Sequence, residues 1–416
     1  MSVATSKSSA GVASPPLTSH ARGYLERVRG GDIGALPAIL GLIVLCTTFS
    51  ILRPVFLSAG NFANLLTQGA AVTVIAMGLV FVLLLGEIDL SAGYASGVCA
   101  AVLAVLLTKH GWPWYAAVSV SLLTGVLIGL VLGVLVAKIG IPSFVVTLAA
   151  FLAFQGVVLM LMNNGSNISI ENKTVLAIAN KNVTPLLGWV MLLVGVAAYA
   201  AILLVRARRR AGRGLTTDPL ALIAMRVATL AVAGGIAVYV LNLERSRNAI
   251  VVSLKGVPIV VPIIGVLLIL WTFVLHRTAY GRHLYAVGGN KEAARRAGIN
   301  VDAIRISAFV ICSAMASVGG LIAASRANSV DPNTGGSNVL LYAVGAAVIG
   351  GTSLFGGKGR VLDAVLGGAV VAVIDNGMGL MGYSAGVKYV VTGSVLLLAA
   401  GVDALSRRRA AATGLR

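Results

Sequence analysis

Charged residues are scarce in this sequence. Asp, Glu, Lys and Arg together make up 11% of the 416 residues, against about 25% in typical soluble domains. Acidic residues are the scarcer kind, with 13 Asp and Glu against 32 Lys and Arg, while hydrophobic residues reach 58%. A soluble core cannot absorb that much apolar side chain. The composition therefore excludes an ordinary soluble protein.

Cysteine and histidine are also scarce, and neither type is clustered. The three cysteines fall inside apolar segments without metal-ligand spacing: Cys46, Cys99 and Cys312. The four histidines are scattered over the N-terminal segment and the loops: His20, His110, His276 and His283. This pattern argues against a disulfide framework, a zinc site and an acid–base site. We predict that the chain binds no metal and no cofactor of its own, and that it is not an enzyme by itself.

The apolar residues occur in repeated segments of about 17–25 residues, the length that a helix needs to cross a bilayer. We therefore predict an all-α, polytopic integral membrane protein with about 12 transmembrane helices. Their predicted positions are residues 35–52, 67–86, 90–108, 114–137, 141–162, 186–205, 218–241, 257–275, 304–325, 339–356, 361–381 and 387–404.

Basic residues indicate the orientation of these spans. Residues 1–34 are predicted to be a disordered basic cytoplasmic tail, residues 35–405 the transmembrane domain, and residues 406–416 a second basic tail. With both termini inside, most Lys and Arg lie in cytoplasmic loops, as the positive-inside rule requires. The net charge of +19 is thus explained by orientation in the cytoplasmic (inner) membrane, and we expect no nucleic-acid partner.

Two pairs of predicted spans are joined by very short segments, residues 87–89 and the Gly-rich residues 357–360. Such joints are typical of broken or re-entrant helices that line a pathway or its mouth. An offset of 270 residues aligns Gly86 with Gly356 and Gly97 with Gly367. We therefore predict an internal repeat, as is common in transporters.

The longest polar loop between spans, residues 276–303, contains a short helical segment. Asn290 is a candidate cap, and Gly298 follows the run Glu292-Ala293-Ala294-Arg295-Arg296-Ala297 as a stop signal. A solvated surface helix is the simpler interpretation. However, Glu-Ala-Ala followed by three residues and Gly resembles the coupling-helix motif by which ABC-importer permeases dock onto their ATPase. The resemblance implies a coupling loop that includes Asn290, Glu292, Ala293, Ala294, Arg295 and Gly298, with Glu292, Arg295 and Arg296 available for ion pairs across the interface.

Residues 86–93, GEIDLSAG, are similar to the G-x-I-D-L-S-x-G signature of the ribose/xylose branch of ABC sugar permeases. Glu87 at the variable position resembles the xylose type in particular. Segments 141–148, 285–290, 348–354 and 375–378 agree, so that the resemblance covers residues 35–405. It implies a permease subunit of an ATP-driven monosaccharide importer, with D-xylose as the leading substrate. The implied partners are an extracytoplasmic sugar-binding protein, a second permease copy in a homodimer, and a cytoplasmic ATPase that binds ATP and Mg²⁺.

Polar residues at the first joint are candidates for the translocation path or a cytoplasmic gate. Glu87, Asp89 and Ser91 lie where one predicted span ends and the next begins. For Asp89, capping of the following helix is the favoured alternative. For Glu87 two roles stay open, lining the translocation path and holding the cytoplasmic gate.

Three further polar residues fall within predicted spans. Two interpretations of Asp375 and Asn376 stay open. Their side chains either line the path or make a helix contact, or they snorkel from a position near the end of a span. Gln155 is a candidate path residue, although an interhelical hydrogen bond is the favoured interpretation.

The rival function is a proton-coupled secondary sugar transporter that would need no ATPase. It would use Glu87, Asp89 or Asp375 as its protonating carboxylate.

Overall fold

The structure is a computed structural model that describes residues 34–163, 165–246 and 253–412. The predicted tail of residues 1–34 lies outside the described residues except for its last position. The described chain forms two compact units. The larger unit contains the described parts of residues 34–182 and 258–408, and the smaller unit those of residues 183–257 and 409–412.

Helices account for nearly all of the regular structure in the described residues. In chain order they are α1 (Leu36–Leu52), α2 (Ala59–Gln68), α3 (Ala70–Leu84), α4 (Ala92–Ala104), α5 (Trp114–Val134), α6 (Ser143–Leu161), α7 (Lys173–Asn180), α8 (Pro185–Ala211), α9 (Leu220–Asn242), α10 (Val260–Arg277), α11 (Ala279–Gly289), α12 (Lys291–Arg296), α13 (Val301–Ala327), α14 (Ser337–Gly350), α15 (Val361–Leu380) and α16 (Ala385–Ala412). A 3₁₀ turn covers Pro54–Leu57, and π-helical turns at Val105–Lys109 and Leu135–Ile139 extend α4 and α5.

The four strands are only two residues long: β1 (Ile168–Ser169), β2 (Asn182–Val183), β3 (Val257–Pro258) and β4 (Ser329–Val330). Within the larger unit β1 pairs with β4 in antiparallel register, Ile168 opposite Val330 and Ser169 opposite Ser329.

The all-α membrane architecture predicted from the sequence is confirmed. Ten helical segments of the described chain are long and apolar enough to cross a membrane, and two shorter apolar helices, α1 and α14, match the other two predicted spans. The total of twelve crossings and the orientation stay predictions. The last helix continues to Ala412, beyond the predicted end at residue 404.

The predicted span 339–356 is too long at its C-terminal end. Helix α14 ends at Gly350 because the next residue, Gly351, adopts a left-handed conformation with φ +117°. That conformation terminates a helix and is readily adopted only by glycine. The second joint is therefore a loop of residues 351–360, longer than the predicted tetrad.

The core of the larger unit is built around α3 and α13. Every residue of α3 from Thr73 to Leu84 is buried, as expected for a helix that is apolar on all faces. Helix α13 packs against α3, α4 and α5. These buried helices hold the first joint, which follows α3, in a fixed environment.

A row of three glycines on α5 lets it approach α13 closely. A Cβ atom added at Gly125 would lie 2.7 Å from the Ser313 carbonyl oxygen, and one added at Gly129 would lie 2.4 Å from the Phe309 carbonyl oxygen. Gly133 is equally close to Ile306, at 2.8 Å from its Cα atom. Small residues four apart allow helix backbones to pack directly in a membrane.

Substitution of Gly129 with Leu is expected to destabilise the larger unit by at least about 3 kcal/mol, the upper part of the range for overpacked cores. The close atoms belong to the α13 backbone, which cannot move aside as a side chain could. Thermal unfolding of the purified protein in detergent measures the effect. Gly156→Leu on α6 is the matched control, because an added Cβ there meets nothing within 4 Å. Equal losses in both variants would contradict the close-packing explanation.

In the smaller unit, α8 and α9 pack against each other. Gly234 faces the Leu192 side chain, and Gly188 faces Val238. After α9, the carboxylate of Glu244 accepts hydrogen bonds from the backbone N–H groups of Ser246 and Leu254. These backbone bonds lower the pKa of Glu244 to about 2. The carboxylate therefore stays ionised and keeps its bonds to Ser246 and Leu254 at all physiological pH values.

Candidate coupling and gating site

The first joint begins with a glycine that terminates α3. Gly86 has φ +70°, and its N–H donates to the Leu83 carbonyl while the Glu87 N–H donates to the Val82 carbonyl. This pair of bonds is a Schellman motif. The start of α6 also holds the joint, since the Ile88 N–H donates to Ser143 Oγ at 3.3 Å and Thr147 Oγ1 donates to the Ile88 carbonyl at 3.2 Å.

The second joint starts in the same way, which bears on the predicted repeat. The Gly351 N–H donates to Val348 and the Thr352 N–H to Ala347, which is again a Schellman motif. The glycine that ends α14 therefore corresponds to Gly86 at an offset of 265 residues (351 − 86) rather than 270. The predicted pairing of Gly86 with Gly356 is wrong for this helix end, because the second loop is longer. The repeat itself stays a prediction.

Asp89 lies just before α4, but the cap position of this helix is Ser91 and not Asp89, which the favoured interpretation had predicted. Its Oδ1 atom accepts hydrogen bonds from the N–H group of Ser91 at 2.9 Å and from Ser91 Oγ at 2.6 Å. Asp89 and Ser91 are both fully buried. Burial raises the pKa of Asp89, and the bonds from Ser91 offset that effect only in part.

Glu87 joins the first joint to two other elements through a single oxygen atom. Its Oε1 accepts from Lys291 Nζ at 2.7 Å, and from Arg305 Nη2 at 2.8 Å and Nε at 3.1 Å. Lys291 is the first residue of α12, and Arg305 lies in the first turns of α13. The Glu87 side chain is only 7% exposed. We call Glu87, Lys291 and Arg305 the Glu87 cluster.

The Glu87 carboxylate is held in its ionised form. Burial, the largest single effect, would raise its pKa, while the hydrogen bonds from Lys291 and Ser143 lower it. The positive charges of Arg305 and Lys291 act in the same direction, so that the pKa of Glu87 lies below its ordinary value. The cluster therefore persists at neutral pH and is lost only as the pH falls through this lowered pKa.

Direct backbone contacts tie the two joints to the loop of residues 276–303. A Cβ atom at Gly288 of α11 would lie 1.9 Å from the Leu84 carbonyl oxygen. The same carbonyl accepts the Gly357 N–H at 2.8 Å. A Cβ atom at Gly356 would lie 2.9 Å from the backbone nitrogen of Gly86. The end of α3, the end of α11 and the second joint thus meet with no side chains between them.

The predicted coupling helix is present as α12. Asn290 is its cap, because Asn290 Oδ1 accepts the Ala293 N–H at 2.9 Å. Gly298, with φ +80°, follows the helix. Three of the six predicted coupling residues make contacts within the chain. Asn290 shapes the helix start, Ala294 is buried, and Arg295 pairs with Glu292 of the same helix at 2.9 Å.

One face of α12 is available to a partner. Glu292 and Arg295 have side chains that are 69% and 59% exposed. Ala293 and Gly298 are exposed beside them. On the opposite side Ala294 packs into the core and Lys291 reaches Glu87. Helix α12 therefore has an outer face of small and charged residues and an inner face that contacts the joint.

A second polar cluster lies within the spans and contains the predicted residues Asp375 and Asn376. Asp375 accepts hydrogen bonds from the Gln68 amide and from Lys388 Nζ, the latter at 3.1 Å. Asn376 is buried and donates to Asn61 Oδ1 at 2.9 Å. The two residues therefore make helix contacts that join α15 to α2 and α16, and neither has the free position of a snorkelling side chain.

The Asp375–Lys388 pair is expected to behave as a coupled unit. Asp375→Asn or Lys388→Met alone should cost about 1–2 kcal/mol, less than the 3–5 kcal/mol of a fully buried pair, because the two side chains remain 28% and 22% exposed. The double variant should recover most of that loss, since no charge is left unpaired. Thermal unfolding of the four proteins gives the coupling energy. Strictly additive losses would show that the two residues act independently.

The remaining path candidate, Gln155, lies half-buried on α6. Its side chain makes no hydrogen bond to another described residue, so that the interhelical bond favoured from the sequence does not form within the described chain. Among the described residues no group of three His, Cys, Asp or Glu side chains has the arrangement of a metal site.

A scan of protein families matches the chain over residues 61–213 and 172–400 to the family described as "Branched-chain amino acid transport system / permease component". The chain belongs to this family of permeases. Together with the membrane-spanning helices, this places it in the cytoplasmic membrane as a multi-pass protein.

Several curated proteins are similar to the chain over most of their length. The xylose transport system permease protein XylH of Escherichia coli K12 is 37% identical over 355 residues, which cover 85% of this chain and 87% of XylH. XylH of Haemophilus influenzae is 33% identical, covering 89% and 96%. The ribose import permease protein RbsC of E. coli K12 is 31% identical, covering 88% and 92%. No solved structure matches the chain significantly.

Sequence reasoning missed the partners of the predicted carboxylates. Lys291 and Arg305 lie 204 and 218 residues from Glu87, and no local pattern connects them. Lys388 carried a usable signal, because a lysine inside an apolar span needs a partner. Asp375 is such a partner, and the pairing could have been proposed from the sequence.

Proposed function

We propose that this chain is the membrane-spanning, non-catalytic permease subunit of an ATP-driven monosaccharide importer, with D-xylose as the first substrate to test. A separate cytoplasmic ATPase subunit binds ATP and Mg²⁺. An extracytoplasmic binding protein delivers the sugar, and a second copy of the chain completes the path as a homodimer. The permease family and the names of the xylose and ribose permeases similar to this chain support the proposal.

The proposal rests on one observation, that the outer and inner faces of α12 differ in their exposure and contacts. Its outer face offers Glu292, Ala293 and Arg295 to a partner, while Lys291 on the inner side contacts a buried carboxylate. A free surface helix would need no such link. Small residues beside charged ones form a surface that another protein can approach closely and in a fixed register.

The contacts of α12 define how its movement would reach the spans. A displacement of α12 pulls on Glu87 through Lys291, and Arg305 connects the same carboxylate to α13. Because α13 packs against α3, α4 and α5, a change at the Glu87 cluster reaches the central helices. Closure of the ATPase pair on ATP would in this way shift the permease between its outward and inward states.

A proton-coupled secondary transporter is the second candidate, and one observation favours it. Asp89 is fully buried, and burial raises its pKa, which is the behaviour of a carboxyl that exchanges a proton. Its hydrogen bonds to Ser91 already explain its position just before α4, however. In addition, a transporter that works alone has no use for the outer face of α12.

Uptake of radiolabelled xylose by cells that lack their own xylose carriers tests the proposal. The chain is expressed with the ATPase and binding protein of its importer, and again without the ATPase. We expect uptake only with the ATPase present, and insensitivity to a protonophore while cellular ATP is maintained. Uptake without the ATPase that is abolished by the protonophore would overturn the importer in favour of the secondary transporter.

A further inference from the structure

A group of arginines occupies the end of α8, in the smaller unit. We call it the basic end of α8, and it consists of Arg206, Arg208, Arg209, Arg210 and Arg213. All five are exposed, and none forms an ion pair with an acidic side chain in the described chain. The nearest acidic residue along the chain, Asp218, pairs instead with Arg226 at 2.9 Å. The five positive charges are therefore uncompensated within the described residues.

The local structure places these charges in a definite arrangement. Helix α8 continues without a break from Pro185 to Ala211, past the end of its apolar segment. Arg206, Arg209 and Arg210 are spaced i, i+3 and i+4, so that they share one face of the helix. The preceding residues Leu204 and Val205 are 39% and 45% exposed. The guanidinium groups of the arginines thus come directly after exposed apolar side chains along α8.

The turn after α8 repeats this combination. Leu215 is 53% exposed and Leu220, the first residue of α9, is 70% exposed. Long basic side chains beside exposed apolar ones are typical of a position at the boundary between acyl chains and headgroups. A helix C-terminus gains stability from positive charge, but that effect is confined to the last turn. Arg206 lies more than one turn before the end of α8.

We propose that the basic end of α8 is a binding site for the anionic headgroups of membrane phospholipids, with phosphatidylglycerol as the probe. The guanidinium groups would form bidentate bonds to lipid phosphates, and the surface charge of an anionic leaflet would add to the attraction. An acidic protein surface is the competing occupant. The exposed leucines that follow these arginines along the chain favour a bilayer, because an acidic surface offers no place for them.

Native mass spectrometry of the full chain in detergent, titrated with phosphatidylglycerol or phosphatidylcholine, tests this inference. The wild-type protein should retain phosphatidylglycerol in preference to phosphatidylcholine. The variant Arg206→Gln/Arg209→Gln/Arg210→Gln should retain it at least about tenfold less, since one basic residue near an anionic surface contributes a factor of roughly five. The corresponding Arg→Lys variant should show intermediate retention, because it keeps the charge but loses the bidentate geometry of the guanidinium group.

The control variant removes the same number of positive charges elsewhere in the chain. Lys109, Lys173 and Lys181 are exposed elsewhere in the chain, and their joint substitution with Gln should leave retention unchanged. Equal retention by the wild-type and Arg→Gln proteins would overturn the inference. So would equal losses in the lysine control, which would indicate a general charge effect. Unchanged lipid retention with loss of a co-purifying ATPase subunit would assign the arginines to a protein contact instead.

Discussion

Ala293→Trp is expected to lower ATP-dependent xylose uptake at least about tenfold, because a large side chain on a close-fitting interface removes binding energy of hot-spot size. Ala293 is exposed on the outer face of α12, so that the substitution does not disturb the core. The ATPase should no longer co-purify with the permease in stoichiometric amounts. Uptake by intact cells and the composition of the purified complex give the two measurements.

The same substitution at Ala211 provides the matched control. Ala211 is also an exposed alanine, at the end of α8. Ala211→Trp should leave both uptake and co-purification near the wild-type level. Membrane insertion and thermal stability are checked for both variants. Normal uptake by Ala293→Trp would contradict the assignment of α12 as the docking helix.

Glu87→Gln is expected to uncouple ATP hydrolysis from transport, with uptake reduced at least about tenfold at an unchanged rate of hydrolysis. Neutralising the carboxylate leaves Lys291 and Arg305 without their acidic partner. The cost falls below the about 3–5 kcal/mol of a fully buried pair, because Arg305 and Lys291 are 17% and 43% exposed. The inner side of α12 then loses its strongest link to the joint. Proteoliposomes containing the complete transporter allow hydrolysis and uptake to be measured together.

The two basic residues of the Glu87 cluster should differ in their effects. Arg305 is 17% exposed and Lys291 43%. Arg305→Gln should mainly lower thermal stability, because it leaves Glu87 without its buried partner. Lys291→Gln should leave the fold stable and reduce coupling. Glu171→Gln, at an exposed position, is the control for removal of a glutamate charge. Identical behaviour of Lys291→Gln and the wild type would contradict the proposed route.

The contribution of Glu87 also has a predicted pH dependence. Its pKa is lowered in the folded protein, so that its stabilising effect is fully present above the ordinary glutamate pKa of about 4.3 and disappears as the pH falls through the lower folded value. The wild-type protein should therefore lose thermal stability on acidification below about pH 4.3 more steeply than Glu87→Gln. Parallel unfolding curves for the two proteins would contradict this.

The positions of the helices could be predicted well from the sequence, because each membrane helix depends mainly on the length of its own apolar segment. The prediction of residues 114–137, for example, corresponds to α5 and its π-helical extension, which together end at Ile139. The cap at Asn290 was also predictable from the sequence, since capping is a local interaction. Local patterns therefore determined most elements and their ends. The end of α14 depends on which of several nearby glycines turns left-handed, and α8 and α16 continue past their predicted ends at residues 205 and 404.

The arrangement of the site could not be read in this way. The partners of Glu87 lie more than 200 residues away, and their meeting depends on the packing of α13 against α3. The outward direction of Ala293 and the burial of Ala294 depend on how α12 is set against the core, which a motif of six residues does not specify. The motif predicted a short helix that the structure contains, and only the tertiary structure separated its outer from its inner face.

Photo-crosslinking from α12 to the ATPase subunit tests docking through this helix most directly. A photoreactive amino acid replaces Ala293 in the full chain, and Ala211 in the control, in cells that express the whole importer. We expect a light-dependent product of permease and ATPase from position 293 and none from position 211. A product from position 211 alone, or none from 293 while uptake remains ATP-dependent, would contradict docking through α12.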